Sequence, residues 1–587
     1  MEILHKFMNI LGINAYHGDS SACLLVDGKI VNAIEEERIN RIKHWAGLPT
    51  EAIKWCLKDA NIKIQDIDYI AISRNPSAHL HKKILRTLTK IPSLDFLKNR
   101  LSNVTKIGEI KSQIARSLGV DVLVIKAEVE NVEHHLAHMG SSFLVSPFSE
   151  AACITIDGFG DFVSTMRGMG KDKDIKIFDW VEFPHSLGVF YTAMTQFLGF
   201  WNYGDEYKVM GLSAYGKPVY LNEMREIVKL KDNGLFELNT SFFLHDKEGV
   251  EMVWDNGQPV IGKLFSDKLV EKFGNPRDKN GEITEYYQNI VSSVQAIYEE
   301  AFFHILNDTY KKTKVDSISL AGGCIQNSLA NGKIIKETPF KHIYIPSASY
   351  DAGTAIGAAM VVWQTKSNQP RKFVMEHSYL GPIFSNTEIE SEISKQTLKE
   401  KGYLIELIKD ETMLCQKAAK QIEEGKIIGW FQGRTEFGPR ALGNRSILVD
   451  PRRKEMKDIL NERIKRREWF RPFAPSILEE KADEWFEQDS PVPFMEKVYK
   501  IKNNKRQLIP AVCHEDGTGR LQTVSLSTNP RYYNLIKQFE IITQVPIVLN
   551  TSFNDNEPIV NTPKDAIECF LSTKMDSLVI GDFIVSK

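Results

Sequence analysis

The sequence predicts a mixed α/β protein with more than one domain. Runs with the character of buried strands, such as 8–13, 69–72 and 122–125, alternate with segments of helical periodicity, such as 51–60. That alternation is typical of α/β folds. The length of 587 residues exceeds what one hydrophobic core usually holds. A polar, proline-containing segment at 364–372 breaks the periodic pattern, so we place a domain boundary there.

The composition is that of a soluble globular protein, with 42% hydrophobic and 26% charged residues. Because 74 Lys and Arg nearly balance 76 Asp and Glu, no net charge draws the chain to nucleic acid or to an anionic membrane. The seven cysteines are scattered without a CxxC pair, which predicts reduced thiols. We see no signal peptide, and the longest weakly polar run, 355–363, is too short to span a bilayer. We therefore expect a cytoplasmic monomer or homodimer.

The first two predicted strands enclose a small polar loop at 17–21. After the second strand, Asp27-Gly28 is a hairpin signal, and 29–34 supplies the returning strand. The backbone N–H groups of such a loop can face a phosphate or a substrate. His17 within it is either a proton acceptor or an ordinary surface histidine. The charge run that begins at Glu35 is, on local grounds, most often a solvated face.

A cluster of histidines in the sequence HHLAH is the first candidate for chemistry. If the segment is helical, His134 and His138 lie on one face, a turn apart, and can hold one metal ion. Asp157 ends the next predicted strand and can point into the same site. An isolated pair at this spacing is more often a surface or core cluster. A zincin protease is excluded because His135, not Glu, follows the first histidine. Asp351 is either a helix N-cap, which the local sequence favours, or a second metal carboxylate.

The opening design of the chain then recurs, because the strand ending at Asp157 again leads into a Gly/Asp loop and a further strand. This weak duplication resembles the two-lobed architecture of the actin/sugar-kinase class, whose loops straddle a nucleotide. Two more segments suit a nucleotide. Glu206 lies among glycines and small residues, and the Gly322-Gly323 turn follows a strand and precedes a predicted helix, whose N-terminus offers free N–H donors.

Beyond the boundary, four segments place basic residues beside glycines or strand ends. Each alone is typical of a solvated loop, and aromatic residues interleaved with basic ones also occur in nucleic-acid sites. The basic runs are short and the overall charge is balanced, so we predict a compact phosphate pocket. The loop at 432–446 carries three arginines among its glycines, and the strand 545–549 ends in small polar residues. The candidate residues of these segments are Arg440, Lys465, Arg471, Arg520, Asn550 and Ser552.

Taken in order, these motifs resemble those of the ATP-dependent O-carbamoyltransferases of natural-product and nodulation-factor biosynthesis. The resemblance runs from Ile10 to Phe583 and includes GINAYHGDSSA, HHLAH, TIDGFGD, EYKVMGLSAYG, AGGCIQN, SYDAGTAIGAA, GRTEFGPRALGNRSIL, KRREWFRPFAPS, HEDGTGRLQT and LNTSFN. It implies a duplicated actin/sugar-kinase-like (ASKHA) domain over 1–366, similar to the threonylcarbamoyl-transfer protein. It also implies an α+β domain over 373–587, similar to threonylcarbamoyl-adenylate synthase (YrdC-like).

The resemblance implies an enzyme that makes carbamoyl adenylate from carbamoyl phosphate and ATP, then transfers the carbamoyl group to a hydroxyl of a small-molecule natural product. It implies a divalent metal, with Fe²⁺ favoured and Mn or Zn feasible, and Mg²⁺ accompanying ATP. It also favours Asp351 as a metal ligand rather than a cap. The implied roles are a base at His17; metal ligands His134, His138, Asp157 and Asp351; adenylate contacts Gly158, Glu206, Gly322, Gly323 and Asn327; phosphate-binding catalytic residues Lys465, Arg471 and Arg520; and further pocket residues Arg440, Asn550 and Ser552.

Two other functions stay open at this stage. The enzyme could carbamoylate a macromolecule, such as a tRNA or a maturation protein, although the balanced charge argues against a nucleic-acid partner. Alternatively, the chain could be a non-catalytic nucleotide-binding regulator that kept the fold. The stretch 75–117 is a candidate for binding the acceptor, because loops carry such specificity more often than cores do.

Overall fold

The computed structural model describes residues 7–89, 108–250, 252–255 and 257–587, without the side chains of 84, 85, 87–89 and 252–255. Part of the predicted acceptor region, 90–107, therefore lies outside the described residues. The chain forms two compact units. Unit 1 comprises the first 327 residues together with 334–375, and unit 2 comprises 328–333 together with 376–587.

Unit 1 is mixed α/β. Its strands are β1 Asn9–Asn14, β2 Ser21–Val26, β3 Lys29–Glu35, β4 Tyr69–Ile72, β5 Glu128–Asn131, β6 Glu150–Gly160, β7 Val163–Lys171, β8 Asp174–Glu182, β9 Val228–Leu230, β10 Phe236–Leu238, β11 Met252–Asp255, β12 Gln258–Ile261, β13 Ser317–Ala321 and β14 His342–Tyr344. The helices up to residue 367 are α1 Glu37–Asn40, α2 Thr50–Asp59, α3 Leu80–Thr89, α4 Ile110–Leu118, α5 His134–Phe143, α6 Leu187–Phe197, α7 Glu206–Leu212, α8 Leu221–Ile227, α9 His245–Glu248, α10 Asp267–Phe273, α11 Glu285–Thr313, α12 Ser328–Asn331, α13 Ile334–Glu337 and α14 Thr354–Ser367. Of these helices, α12 belongs to unit 2.

Two five-stranded sheets in unit 1 repeat one design. The first has the order β3-β2-β1-β4-β5, and the second has the order β8-β7-β6-β13-β14. In each sheet the first three strands of this order are antiparallel neighbours. The last two strands run parallel to the third, which is β1 in the first sheet and β6 in the second. The same order with the same directions means that the recurrence in the sequence is a structural duplication. His17 follows the end of β1, and Asp157 lies near the end of β6, where the pairing with β7 becomes irregular, so the two residues belong to corresponding ends of the two sheets.

Unit 2 is built on one nine-stranded sheet with the order β15-β23-β22-β16-β17-β21-β18-β20-β19. These strands are β15 Leu404–Leu407, β16 Ile428–Phe431, β17 Arg445–Val449, β18 Ala474–Leu478, β19 Lys497–Lys500, β20 Thr518–Val524, β21 Ile547–Ser552, β22 Ser577–Ile580 and β23 Phe583–Ser586. Its remaining helices are α15 Asn386–Lys395, α16 Glu411–Glu423, α17 Met456–Ile459, α18 Ala482–Trp485, α19 Pro530–Thr543 and α20 Pro563–Ser572. The central strands β16, β17 and β18 are buried along their whole length, so their apolar runs form the core of this unit.

The structure confirms one local prediction and contradicts another. The hairpin turn is confirmed, since Asp27 and Gly28 both have positive φ, as the tight turn between right-twisted strands requires. The strand expected at 122–125 is wrong, because the segment forms a 3₁₀ turn, Val122–Val124, held by the side chain of Asp121.

None of the helices within the described ranges has the length and apolar character that crossing a bilayer demands.

Candidate metal centre and anion pocket

Four side chains of unit 1 converge on one point. Helix α5 begins at His134, and the Glu133 carboxylate caps it by accepting a hydrogen bond from the backbone N–H of Leu136. The four-residue spacing then turns the Nε2 atoms of His134 and His138 toward each other, 3.1 Å apart. The Asp157 carboxylate lies 3.3 Å from the His134 Nε2. The Asp351 carboxylate lies 3.5 Å from the His134 Nε2 and 3.4 Å from the His138 Nε2.

The chemistry of this cluster fits a divalent metal ion. Both imidazoles are fully buried, and one ligand atom from each of the four residues lies within 4.8 Å of the others. Two imidazole nitrogens with two carboxylate oxygens suit Fe²⁺, Mn²⁺ or Zn²⁺. Burial opposes charge on His134, but the hydrogen bond with Asp157 and the charge of Asp351 outweigh it and raise the pKa of His134 to about 9. The two carboxylates therefore favour positive charge between them, which a cation supplies.

His135, the middle histidine of the motif, has a different task. Its Nε2 donates to the Val163 carbonyl at 3.0 Å, so its Nδ1 accepts from the Thr155 hydroxyl at 2.7 Å. Burial and the neighbouring imidazoles lower the pKa of His135 to about 3. This neutral imidazole fixes α5 against β6, which carries Asp157, and against β7.

His17 joins the same cluster from the loop after β1. Its ring stacks on the ring of His134 with 4.8 Å between centroids, and its Nδ1 lies 3.6 Å from the Asp351 carboxylate. Burial lowers the pKa of His17 more than its hydrogen bond with Asp351 raises it. The surface alternative is thus wrong for this histidine, which lies inside the site.

The local sequence around Asp351 predicts a helix cap, but the structure gives its side chain a different position. It opens a 3₁₀ turn, Asp351–Gly353, and Gly353 takes the N-cap position of α14. The Asp351 side chain makes no capping bond and faces the imidazoles instead. The local preference for a cap is therefore wrong.

Sequence reasoning missed two residues beside this cluster. The Asp161 carboxylate accepts from the backbone N–H of His134 at 3.1 Å and from that of Asn75 at 2.7 Å. Arg74 donates to the Tyr16 carbonyl at 3.0 Å, and its charge contributes to lowering the pKa of His17. Asp161 was visible only as the last letter of TIDGFGD, and Arg74 follows β4 without any motif of its own.

The glycines predicted to contact a nucleotide lie at the edge of the metal cluster. The Asp157 carboxylate accepts a hydrogen bond of 2.7 Å from the backbone N–H of Gly323. Gly322 has a φ of +102°, a conformation that favours glycine, and it begins this turn. A side chain at Gly158 would meet no atom within 4 Å, so the backbone there faces open space. The expected helix after the Gly-Gly turn is replaced by a 3₁₀ turn, Gly323–Gln326.

The other two predicted nucleotide contacts make hydrogen bonds within unit 1. Glu206 is the first residue of α7 and accepts a hydrogen bond of 2.5 Å from the Thr192 hydroxyl. Burial raises the pKa of the Glu206 carboxyl. Asn327 and Gln295 exchange two amide hydrogen bonds of 2.9 and 3.1 Å.

The charge run after β3 is packed rather than merely solvated. The His44 Nδ1 lies 2.7 Å from the Asp19 carboxylate, and the His44 backbone N–H donates to Glu37 at 2.9 Å. Burial opposes charge on His44, but Asp19 and Glu37 outweigh it and raise its pKa to about 9. Asp19 is two residues from His17, so this ion pair fixes the loop that carries the candidate base.

In unit 2, the predicted pocket residues share one sheet face. Asn550 and Ser552 are two apart on β21, and Arg520 and Gln522 are two apart on β20, so each pair points to one side of its strand. The Asn550 amide donates to the Gln522 side chain at 3.0 Å and to the Ala441 carbonyl at 3.0 Å. Gln522 was missed, although its spacing from Arg520 within a strand could have indicated it.

Lys465 reaches the same face from a π-helical turn, Leu460–Ile464, that continues α17. Its ammonium donates to the side chain of Asn554 at 2.7 Å and to the Ser552 hydroxyl at 3.3 Å, and it also bonds the Ser552 carbonyl. A buried lysine held by oxygens of the β21 end presents a fixed positive charge beside Ser552.

Arginines complete the pocket. Burial lowers the pKa of Arg520 well below its usual value, and the charges of Arg440, Arg467 and Arg471 lower it further. The Arg520 Nε is buried and makes no hydrogen bond among the described residues. Four guanidinium groups, three of them close enough to lower the affinity of Arg520 for a proton, form a site that attracts an anion. Arg467 was not singled out in the sequence.

The arginines of the glycine-rich loop before β17 do not all have the same role. The Arg445 guanidinium is fully buried and donates to the carbonyls of Gln432, Gly433 and Pro382. Arg445 therefore holds the loop together, while Arg440 is the residue of this loop that is predicted to bind an anion. The Glu436 carboxylate also folds the loop by accepting from three backbone N–H groups, those of Leu442, Asn444 and Arg445.

Comparison with known proteins gives the class of the molecule. The family models described as carbamoyltransferase N-terminus and carbamoyltransferase C-terminus match residues 9–360 and 419–587. The uncharacterized protein sll1178 of Synechocystis is 37% identical over 618 residues, covering 99% of this chain and 97% of that protein. The nodulation protein NolNO of Sinorhizobium fredii is 37% identical over 581 residues, covering 98% of this chain and 80% of that protein. The chain therefore belongs to the carbamoyltransferase family and is a carbamoyl-transferring enzyme.

Among solved structures, HypF of T. kodakarensis is 12% identical, with a TM-score of 0.30 over 62% of this chain and 48% of that one.

Proposed function

We propose that the protein makes carbamoyl adenylate from carbamoyl phosphate and ATP, and then transfers the carbamoyl group to a hydroxyl of a small-molecule natural product such as an antibiotic, toxin or oligosaccharide. One observation carries the proposal: the chain contains two chemically different sites, one in each unit. A histidine–carboxylate cluster lies in unit 1, and an arginine- and lysine-lined pocket lies in unit 2. A single-step transfer would not need both.

In this proposal, unit 2 is the YrdC-like site of activation. Carbamoyl phosphate and ATP are both polyanions, so fixed cations are needed to hold them together. Lys465, Arg471 and Arg520 bind their phosphates, and Arg440 adds a fourth positive charge. Hydrolysis of carbamoyl phosphate releases phosphate and leaves carbamate. A carbamate oxygen then bonds to the α-phosphorus of ATP, which enters with Mg²⁺, as pyrophosphate leaves. The cations stabilise the charge that develops on the phosphates, while Asn550 and Ser552 offer small polar groups to the acyl part.

Unit 1 is, in this proposal, an actin/sugar-kinase-like (ASKHA) domain that performs the transfer. The duplicated sheets support this assignment. Gly158, Gly322 and Gly323 lie beside the cluster where a backbone can approach a nucleotide, and Glu206 and Asn327 complete the adenylate contacts. His17 takes the proton from the acceptor hydroxyl as the oxygen attacks the carbamoyl carbon, and AMP leaves. Its imidazole lies against Asp351 and His134, which orients it at the cluster.

The metal belongs to the same proposal. His134, His138, Asp157 and Asp351 would hold one divalent ion, with Fe²⁺ favoured and Mn or Zn feasible. When bound, such an ion polarises the carbamoyl group and screens the adenylate phosphate as a Lewis acid.

Two variants separate the proposed steps. We expect Lys465→Ala to abolish pyrophosphate release from ATP in the presence of carbamoyl phosphate, because the phosphates lose a fixed cation. We expect His17→Asn to release pyrophosphate at close to the wild-type rate and to carbamoylate no acceptor. The measurements are a pyrophosphate assay and mass spectrometry of a panel of hydroxylated acceptors. Lys500→Ala and His342→Asn, both at exposed positions, serve as controls. If both site variants stopped at the same step, the two-site scheme would be wrong.

A further inference from the structure

A histidine of unit 2 that the proposed reaction does not use lies beside the arginine pocket. His514 and Thr518 form a tight turn just before Arg520, in which the His514 backbone N–H donates to the Thr518 carbonyl at 2.8 Å. The Thr518 hydroxyl donates to the Asp516 carboxylate at 2.6 Å, since an ionised carboxylate can only accept. The Thr518 oxygen must then accept from the His514 Nδ1, which lies 3.1 Å away.

This relay fixes the tautomer of His514. The proton is on Nδ1, so Nε2 carries a lone pair and can only accept. The Nε2 atom is buried and has no hydrogen-bond partner among the described residues. Burial lowers the pKa of His514 to about 4, and the charges of Arg520 and Lys457 contribute. The imidazole is thus neutral at physiological pH.

An unsatisfied acceptor therefore lies within electrostatic range of the cationic Arg520 side chain. The Arg520 Nε and the Asn550 Oδ1 are likewise buried and make no hydrogen bond among the described residues. A buried acceptor without a donor is costly, and binding of a ligand that donates to it removes that cost. The ligand that fits offers oxygens to the guanidinium groups and an N–H to the imidazole.

We propose that the His514 Nε2 accepts a hydrogen bond from the amino group of bound carbamoyl phosphate and so selects the carbamoyl group over other acyl groups. The inference rests on the proposed function, because it names a substrate determinant of the unit 2 pocket. Arginines bind the phosphate of any acyl phosphate equally well. Acetyl phosphate differs from carbamoyl phosphate by a methyl in place of the amino group, so it would leave the Nε2 lone pair without a donor. A site built to bond an N–H rejects an analogue that lacks it.

The test compares two substitutions of His514, each of which keeps a polar group at only one of the two ring-nitrogen positions. The Asn amide reaches the Nδ1 position and can keep the bond to Thr518, whereas the Gln amide reaches the Nε2 position and can keep the acceptor. We expect His514→Asn to raise the KM for carbamoyl phosphate roughly 10- to 100-fold with the KM for ATP unchanged, the effect of losing one buried hydrogen bond. The ratio of the acetyl phosphate Ki to the carbamoyl phosphate KM should fall by the same factor. His514→Gln should restore most of both.

The ratio is the decisive readout, because a merely structural loss would weaken both ligands together. Thr518→Val tests the relay without touching the imidazole, and we expect it to lower the same ratio by a smaller factor. An unchanged ratio in a folded His514→Asn or Thr518→Val protein would overturn the inference. Wild-type protein that releases no pyrophosphate with carbamoyl phosphate would overturn the proposed function and this inference with it, so the two failures are distinguishable.

Discussion

At the scale of single residues, identical side chains differ because their neighbours differ. In the HHLAH helix, His134 and His138 face two carboxylates, whereas His135 faces a hydroxyl and a carbonyl. Carboxylates favour the charged imidazole, and burial without them favours the neutral one. One short motif therefore contains two candidate ligands and one structural anchor.

The His44–Asp19 pair yields a pH-dependent stability. The pKa of His44 is raised to about 9 in the folded protein, against 6.5 for an ordinary histidine. Its contribution is therefore complete below about pH 6.5 and is lost as the pH rises through about 9. We expect His44→Asn to lower the unfolding midpoint at pH 6 by roughly 2–4 °C, and the difference from wild type to disappear near pH 10. Thermal unfolding at both values measures it, with His342→Asn at an exposed position as the control. A deficit that is equal at both pH values would contradict the assigned ion pair.

At the scale of elements, the close approach of strand β6 to helix α5 determines where the candidate metal ligands lie. Strand β6 passes directly beneath the first turn of α5, and a Cβ at Gly160 would overlap the ring of His134. A glycine at this position lets the helix settle on the strand, so that the His134 Nε2 comes within 3.3 Å of Asp157.

Two glycines near the end of β6 provide a matched test. We expect Gly160→Ala to displace the His134 ring and to weaken metal binding roughly tenfold or more, as changes that reorient a ligand do. Gly158→Ala, two residues away, adds a Cβ that meets nothing within 4 Å and should keep the metal affinity of the wild type. Competition with a metal-sensitive chelator measures both. Equal affinities in the two variants would show that the contact with Gly160 does not position the ring.

At the scale of the whole molecule, the sequence predicted more of the architecture than of the packing. The mixed α/β class and the recurrence of the opening design follow from strand and loop patterns, and both are present in the two matching sheets of unit 1. The His134 and His138 pairing follows from a spacing of four. By contrast, Asp351 is more than two hundred residues from the histidines, so only the tertiary fold could bring it to them.

Other features could not be predicted because they depend on what surrounds a side chain. Arg440 and Arg445 look alike in a glycine-rich loop, yet Arg445 is the first residue of a buried strand and lies over the Phe431 ring at 3.7 Å. The His44–Asp19 pair joins residues that are 25 positions apart in the sequence, so only the tertiary fold brings them together. His514 was not predicted, because a sequence does not show which buried lone pair lacks a hydrogen-bond donor.

The proposed transfer mechanism depends on a metal centre formed by His134, His138, Asp157 and Asp351. Its most direct test is elemental analysis of the purified protein together with its carbamoyl-transfer activity. We expect about one divalent metal ion per chain, as for a single site with this ligand set, and its loss in His134→Ala and Asp351→Ala. His342→Asn, which changes a histidine outside the cluster, should keep the ion. A wild-type enzyme that is free of metal yet fully active, or a His134→Ala protein that retains the full metal content, would contradict the account.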